Sequence, residues 1–85
     1  MKHAGSQALD RLEPLLRELR ALPVLVEKSR GCFYRRSRAF LHFHEDPGGL
    51  FADIRDASGA DFDRLDVTGE GGQQALLALA LERLG

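Results

Sequence analysis

The stretch Ala39-Phe-Leu-His-Phe-His-Glu-Asp-Pro-Gly-Gly-Leu-Phe-Ala-Asp-Ile-Arg55 decides the fold that the sequence predicts. Apolar and polar residues alternate on both sides of Glu45–Gly49, which is typical of strands with one buried face. Proline and glycine supply the turn dihedrals between the two alternating runs. The stretch therefore predicts a β-hairpin with strands over 39–44 and 50–55.

Leucine-rich segments predict one helix on each side of the strand region. Leucines recur at spacings of three and four from Leu9 to Leu19, which gives one apolar helix face. Because proline is tolerated best in the first turn, Pro14 favours a regular helix that begins near Asp10, after a looser first turn. Either Ser6 or Asp10 is expected to cap it. A second helix is expected over 72–84.

Further strands are expected over 32–36 and 62–67, while 24–28 is either an edge strand or an extended segment. The order of helix, strands and helix predicts an α+β fold. We expect a two-layer domain, an antiparallel meander of three or four strands with the N-terminal and C-terminal helices packed on one face. With 85 residues, 1–85 forms a single domain. The predicted core is Leu9, Leu12, Leu16, Leu19, Leu41, Phe43, Leu50, Ala52, Ile54, Leu65, Val67, Leu76, Leu77, Ala80 and Leu84.

The net charge of −1 hides an uneven distribution. Residues 1–40 carry nine Lys/Arg against four Asp/Glu, whereas residues 41–85 carry three against nine. The single cysteine, Cys32, excludes an internal disulfide and a cysteine-built zinc site. No apolar run is long enough for a membrane span and no secretory signal is evident, so a cytoplasmic protein is expected.

Alternation places three aromatic residues on the face opposite the helices, among charged and histidine side chains. Such an amphipathic face predicts a non-enzymatic binding module for a protein partner or for a second copy of the chain. The apolar run Ala75–Leu81 also favours a homodimer, although alanines at its exposed positions are an equally simple interpretation. The predicted partner-binding residues are Phe40, His42, His44, Phe51, Asp53, Arg55, Phe62 and Arg64.

His42-Phe43-His44 supports an alternative function in metal binding. Two histidines separated by one residue on a strand point to the same face, as bidentate metal ligation requires. Asp53 is expected on that face too, and in one register it lies directly opposite His42. A metal-binding protein or small metal-dependent enzyme with His42, His44 and Asp53 as zinc or iron ligands is one interpretation. A cross-strand pair of His42 with Asp53 is the other.

A basic segment supports a third hypothesis, nucleic-acid binding. Aromatic residues interleave with cations here, a pattern that can neutralise phosphates and stack on bases. The pI of about 6.3 argues against it, since nucleic-acid domains usually have a basic excess. A solvated charged hairpin explains the same residues. The candidate residues are Arg30, Arg35, Arg36 and Arg38.

The stretch Gly31-Cys-Phe-Tyr-Arg-Arg-Ser-Arg-Ala-Phe-Leu-His-Phe-His-Glu-Asp-Pro-Gly-Gly-Leu-Phe-Ala-Asp-Ile-Arg55 resembles the central hairpin of YjbR-like bacterial proteins. In that hairpin a strand with a Lys/Arg-x-Phe element leads through a polar turn into a second strand. Here Arg38-Ala39-Phe40 takes the first position and Leu50–Arg55 the second. The chain departs from the pattern in its histidines and in Asp53, where a basic residue is more usual. The resemblance implies a small α/β fold with a binding function, and it transfers no catalytic residue.

Overall fold

The computed structural model describes all 85 residues and shows an α+β fold. Helices from the two ends of the chain share one hydrophobic cluster with one face of a six-stranded sheet. The predicted class is therefore confirmed, with six strands in place of three or four. The elements are β1 (Lys2–His3), α1 (Ser6–Arg20), β2 (Val26–Ser29), β3 (Cys32–Arg35), β4 (Arg38–Asp46), β5 (Gly49–Arg55), β6 (Phe62–Asp66) and α2 (Glu70–Leu84).

The sheet is antiparallel at every strand pair, with the order β2-β3-β4-β5-β6. β3 covers one edge of β4 only as far as Leu41, and β1 pairs with the same strand farther along, at His44 and Glu45. Between β4 and β5 the register sets His42 opposite Asp53. This register leaves Leu41 and Phe43 of β4 facing the helices and its two histidines on the other side, the outer face.

Seventeen buried apolar residues form one core between the helices and the sheet. It contains twelve of the fifteen residues expected there, and Leu65, Leu77 and Leu84 pack against it while partly buried. Leucines at helical spacing on α1 and alternating residues of β4 and β5 belong to this core. The apolar face of the helix therefore packs against the apolar face of the sheet. The core residues that the sequence patterns missed are Ala8, Leu15, Leu25, Phe33 and Phe40.

A β-bulge moves Phe40 away from the outer face, where alternation had placed it. Phe33 pairs with Leu41 while Tyr34 pairs with Ala39, so β4 has one more residue than β3 between these pairs. The additional residue is Phe40, which is only 4% exposed and belongs to the core. A bulge interrupts the alternation of side chains, and the prediction of Phe40 as a partner-binding surface residue was wrong.

Helix α1 begins earlier than Pro14 had indicated. Its N-cap is Gly5, with no side-chain cap from Ser6 or Asp10, and Pro14 lies inside the helix. The Gly5 N–H instead donates to Glu45 Oε2 at 2.6 Å, which ties the helix start to β4. Pro14 is exposed, so the carbonyl that loses its helical hydrogen bond is on the side away from the core. Six buried residues in α1 outweigh this local cost.

Helix α2 packs closely on the end of β6. A Cβ atom at Gly72 would collide with the backbone carbonyl of Asp66, so only glycine permits this approach. Leu76 and Ala80 are buried, whereas Ala75, Ala78 and Leu81 face solvent. Alanine thus occupies two of the exposed positions in the apolar run. Neither 15-residue helix has the length and apolar character that a membrane crossing would need.

Candidate functional site

All three histidines of the chain meet on the outer face. His42 and His44 project from β4, and β1 brings His3 alongside because His3 pairs with His44. One ring nitrogen from each residue can be chosen so that the three atoms lie within 4.8 Å of one another. The rings of His42 and His44 meet edge to face, with centroids 4.9 Å apart. We call these three residues the histidine cluster.

Asp53 and Arg64 border the cluster on the neighbouring strands. Asp53 Oδ2 lies 3.1 Å from His44 Nε2. Arg64 donates to both carboxylate oxygens of Asp53, from Nε at 2.7 Å and from Nη2 at 2.8 Å. These hydrogen bonds lower the pKa of Asp53 against the opposing effect of its burial. Asp53 is therefore a fixed carboxylate beside the imidazoles.

The rings of His42 and His44 are in close contact, and one nitrogen of the His44 ring has no partner. His42 Nδ1 lies 3.0 Å from His44 Nε2. Burial, followed by the neighbouring His44, lowers the pKa of His42, which favours the neutral form that can ligate a metal. The buried Nδ1 of His44 has no hydrogen-bond partner. An unpaired buried polar atom of this kind is uncommon in folded proteins.

The spacing of the ring nitrogens suits a transition metal. Zinc–nitrogen bonds of about 2.0–2.1 Å in a tetrahedron place neighbouring nitrogens about 3.3–3.4 Å apart. The separation of 3.0 Å between His42 Nδ1 and His44 Nε2 is near this value. His3 is exposed on a two-residue strand, and its ring nitrogen lies within 4.8 Å of the other two. The donor set of three imidazoles fits zinc and related ions.

The sequence patterns missed His3, and they predicted Asp53 as the third metal ligand beside His42 and His44. A two-residue strand carries no detectable alternation, so nothing in the pattern of residues 1–5 predicted pairing with β4. The only available signal was that His3 is the one remaining histidine in the chain. Asp53 does lie beside His44 and opposite His42, but both of its oxygens are already bound by Arg64.

The other residues predicted on the outer face form a mixed surface. Phe62 packs against His42 with ring centroids 5.0 Å apart, and the Arg55 guanidinium lies 4.5 Å from the centre of the same ring. Phe51 is half-buried and pairs with His44 across the strands. With Phe40 in the core, two phenylalanines remain on this face rather than three.

The predicted basic segment divides into two parts. Arg30 turns toward α1, where it pairs with Asp10 and Glu13, each at 2.9 Å. Arg35, Arg36 and Arg38 line a cleft near the opposite end of the strands. Arg55 and Arg83 also line it, and we call the cleft that these five residues line the arginine cleft.

Comparison with family models, with curated proteins and with solved structures finds no match for this chain. The resemblance of residues 31–55 to YjbR-like proteins therefore stays a prediction. The geometry of the side chains is the basis for a functional proposal.

Proposed function

We propose that the protein binds a divalent transition metal, zinc being the best match, through His3, His42 and His44. One observation carries the proposal: nitrogens from every histidine of the chain lie within 4.8 Å of one another. Imidazole is a good ligand for zinc, copper, iron and nickel. Three protein ligands leave one position of a tetrahedral zinc for water or a small ligand. A cytoplasmic location, in keeping with the unpaired Cys32, is part of the proposal.

Asp53 and Arg64 support this site without being assigned as ligands. The Asp53 carboxylate, next to His44 Nε2, adds negative charge close to the bound cation. Arg64 grips both oxygens and keeps the carboxylate in one orientation. Groups that orient metal ligands usually affect affinity by about 10–100-fold. Their removal should weaken metal binding without abolishing it.

Zinc and cobalt titrations of the wild type and of His3→Ala test the proposal. His3 is exposed, so its loss should leave the fold intact. We expect zinc affinity to fall by at least about tenfold in the variant. Cobalt should give the intense visible absorption of a tetrahedral nitrogen site in the wild type alone. Lys2→Ala, an exposed change in the same strand, is the matched control and should bind as the wild type does.

Equal zinc affinity for the wild type and His3→Ala would contradict the three-histidine site. A titration in which zinc leaves both the melting temperature and the spectra unchanged would contradict metal binding altogether, since a ligand of the native state raises that temperature. His42→Gln serves as a second variant, because it removes a ligand at a different strand while keeping a similar volume.

Self-association through the outer face is a second candidate function. It is favoured by Phe51 and Phe62, which remain partly exposed on a face that neither helix covers. Light scattering on the wild type and on Phe51→Ser, both in the presence of a chelator, separates this candidate from metal binding. A concentration-dependent dimer that Phe51→Ser weakens would support it. A monomer at every concentration would contradict it.

A further inference from the structure

The arginine cleft carries a strong positive charge, with five arginines among its eleven lining residues. It lies where the β3–β4 turn, the segment after β5 and the end of α2 meet, and it has a volume of about 350 Å³. This volume is within the range of small-ligand sites. Its cationic lining residues are Arg35, Arg36, Arg38, Arg55 and Arg83.

Backbone carbonyls, rather than carboxylates, hold most of these guanidinium groups in place. Arg55 donates to the carbonyl of Ala39 from Nε at 3.0 Å and from Nη2 at 2.7 Å. Arg38 donates to the carbonyl of Gly59 at 2.8 Å. A carbonyl fixes the direction of a guanidinium without cancelling its charge. The cleft therefore contains oriented cations with donors to spare.

Arg35 and Arg83 extend the same arrangement to the end of α2. Arg35 makes two long hydrogen bonds, of 3.3 and 3.4 Å, to the carbonyls of Arg83 and Leu84. Its positive charge offsets the negative end of the helix dipole, which would otherwise repel an anion. Arg83 alone among the five pairs with a carboxylate, that of Asp63 at 2.9 Å.

The one acidic residue that lines the cleft is held by its own turn. Asp56 Oδ1 accepts hydrogen bonds from the Ser58 hydroxyl at 2.7 Å and from the Asp61 N–H at 3.4 Å. The bond from Ser58 is the main reason that the pKa of Asp56 is lowered. No arginine lies within salt-bridge distance of this carboxylate. The lining thus holds five cations against a single anion.

The turn at the rim of the cleft is strained. Arg36 has φ 51° and Ser37 has φ 69°, a left-handed conformation that side chains other than glycine adopt at a cost. Two consecutive residues of this kind form the tight turn between the paired residues Arg35 and Arg38. A turn of this kind matches the twist of the two strands, and it places Arg36 and Arg38 at the rim of the cleft.

We propose that the arginine cleft binds the phosphate group of a small phosphorylated ligand. A phosphate dianion has several acceptor oxygens, and arginines that approach from β3, β4, β5 and α2 can donate to different ones. The separation of Arg30 from the other cations favours a small anion over an extended nucleic acid, because an extended strand needs a continuous basic track. The arginine cleft shares no residue with the histidine cluster.

Pyrophosphate and inorganic phosphate are the probes, titrated at constant ionic strength with a chelator present. We expect amide shifts in ¹⁵N-labelled protein confined to residues 35–40, 55–59 and 83–84, together with a higher melting temperature. Arg38→Gln and Arg36→Asn should each weaken pyrophosphate by about tenfold. Asparagine is chosen for position 36 because it tolerates the left-handed backbone. Arg11→Gln makes the same change in net charge on α1 and should bind as the wild type does.

Three results would overturn the proposal. In the first, neither probe shifts any amide of the cleft. In the second, Arg11→Gln weakens binding as much as Arg38→Gln does, which would mean that diffuse charge, rather than a site, attracts the anion. In the third, a single-stranded oligonucleotide binds at the cleft while pyrophosphate does not. The chelator keeps all three outcomes separate from metal binding by the histidine cluster.

Discussion

The arginines at the α1 edge of the molecule and those of the arginine cleft differ in what they bind. Arg20 donates to Glu27 Oε1 at 2.5 Å and to Glu13 Oε2 at 2.7 Å. Arg30 reaches Asp10 and Glu13, each at 2.9 Å. We call these five residues the carboxylate network. Every cation in it is neutralised by an acidic neighbour.

The arginine cleft contains the same side chain in a different setting. Arg38 and Arg55 are held by main-chain carbonyls, and their charge is left uncompensated. The carboxylate network therefore stabilises the fold, whereas the cleft leaves its charge available to an outside anion. In the sequence Arg30 stands only five residues from Arg35, so proximity along the chain says nothing about this difference. The partner of each guanidinium decides it.

Among the variants that test the contrast between the carboxylate network and the arginine cleft, a change at Glu27 should have the largest effect on stability. Its carboxylate accepts from Arg20 and also from the backbone N–H of the buried Gly31, at 2.8 Å. Glu27→Ala leaves that N–H unpaired and should lower the free energy of unfolding by about 1–3 kcal/mol. Urea unfolding measures the change.

Arg38→Ala is the matched control in the cleft for the Glu27 variant. Because Arg38 is exposed and has no acidic partner, its removal should change stability by no more than about 0.5 kcal/mol. If Arg38→Ala destabilises the protein as much as Glu27→Ala, the cleft arginines have a structural role and the contrast fails.

The next effect in size has the opposite sign and lies in the strained turn. Ser37→Gly removes the steric cost of a left-handed residue and should raise the free energy of unfolding by about 0.5–1 kcal/mol. Ser29→Gly is the control, since Ser29 is an exposed β2 residue without a positive φ. There glycine should lower stability by a similar amount. Thermal unfolding of both variants, followed by circular dichroism, shows whether the signs differ.

The stabilised Ser37→Gly variant also tests the link between strain and binding. A looser turn holds Arg36 and Arg38 less firmly, so pyrophosphate affinity should fall while stability rises. An unchanged affinity would mean that the strain has no part in positioning the arginines.

Strand alternation predicted more of this fold than of the candidate sites. It placed Leu41 and Phe43 in the core, and it allowed the register in which Asp53 lies opposite His42. It failed at Phe40 because a bulge adds one residue to the strand. The two-residue alternation of side chains gives no sign of such an insertion. The expectation that Pro14 lies in the first regular turn of α1 was also wrong, because burial of the leucine face outweighs the local penalty of proline.

The candidate sites depend on contacts between segments that are distant along the chain. His3 reaches the histidine cluster through a two-residue strand, which is too short for any periodic signal. Arg83 comes to the cleft from the end of α2, nearly fifty residues after Arg35. Their spacing in the sequence carries no information about this meeting. Only the topology of the sheet and the packing of α2 bring them together.

Acid unfolding gives the smallest of the expected effects, because the carboxylate network is open to solvent and screened. Hydrogen bonds from Arg30, and next from Arg20, lower the pKa of Glu13 from its ordinary 4.5 to about 2. A carboxyl whose pKa is lower in the folded state stabilises the protein above pH 4.5, and this contribution disappears as the pH falls toward 2. Glu13→Gln should therefore be less stable than the wild type near neutral pH, with a difference that closes over this interval. Arg38→Gln should follow the wild-type pH profile throughout, since Arg38 is held by the carbonyl of Gly59 and has no carboxylate partner. A destabilisation by Glu13→Gln that stays constant from pH 7 to 2 would show that Glu13 acts through packing rather than through charge, and the distinction between the two groups of arginines would lose its electrostatic basis.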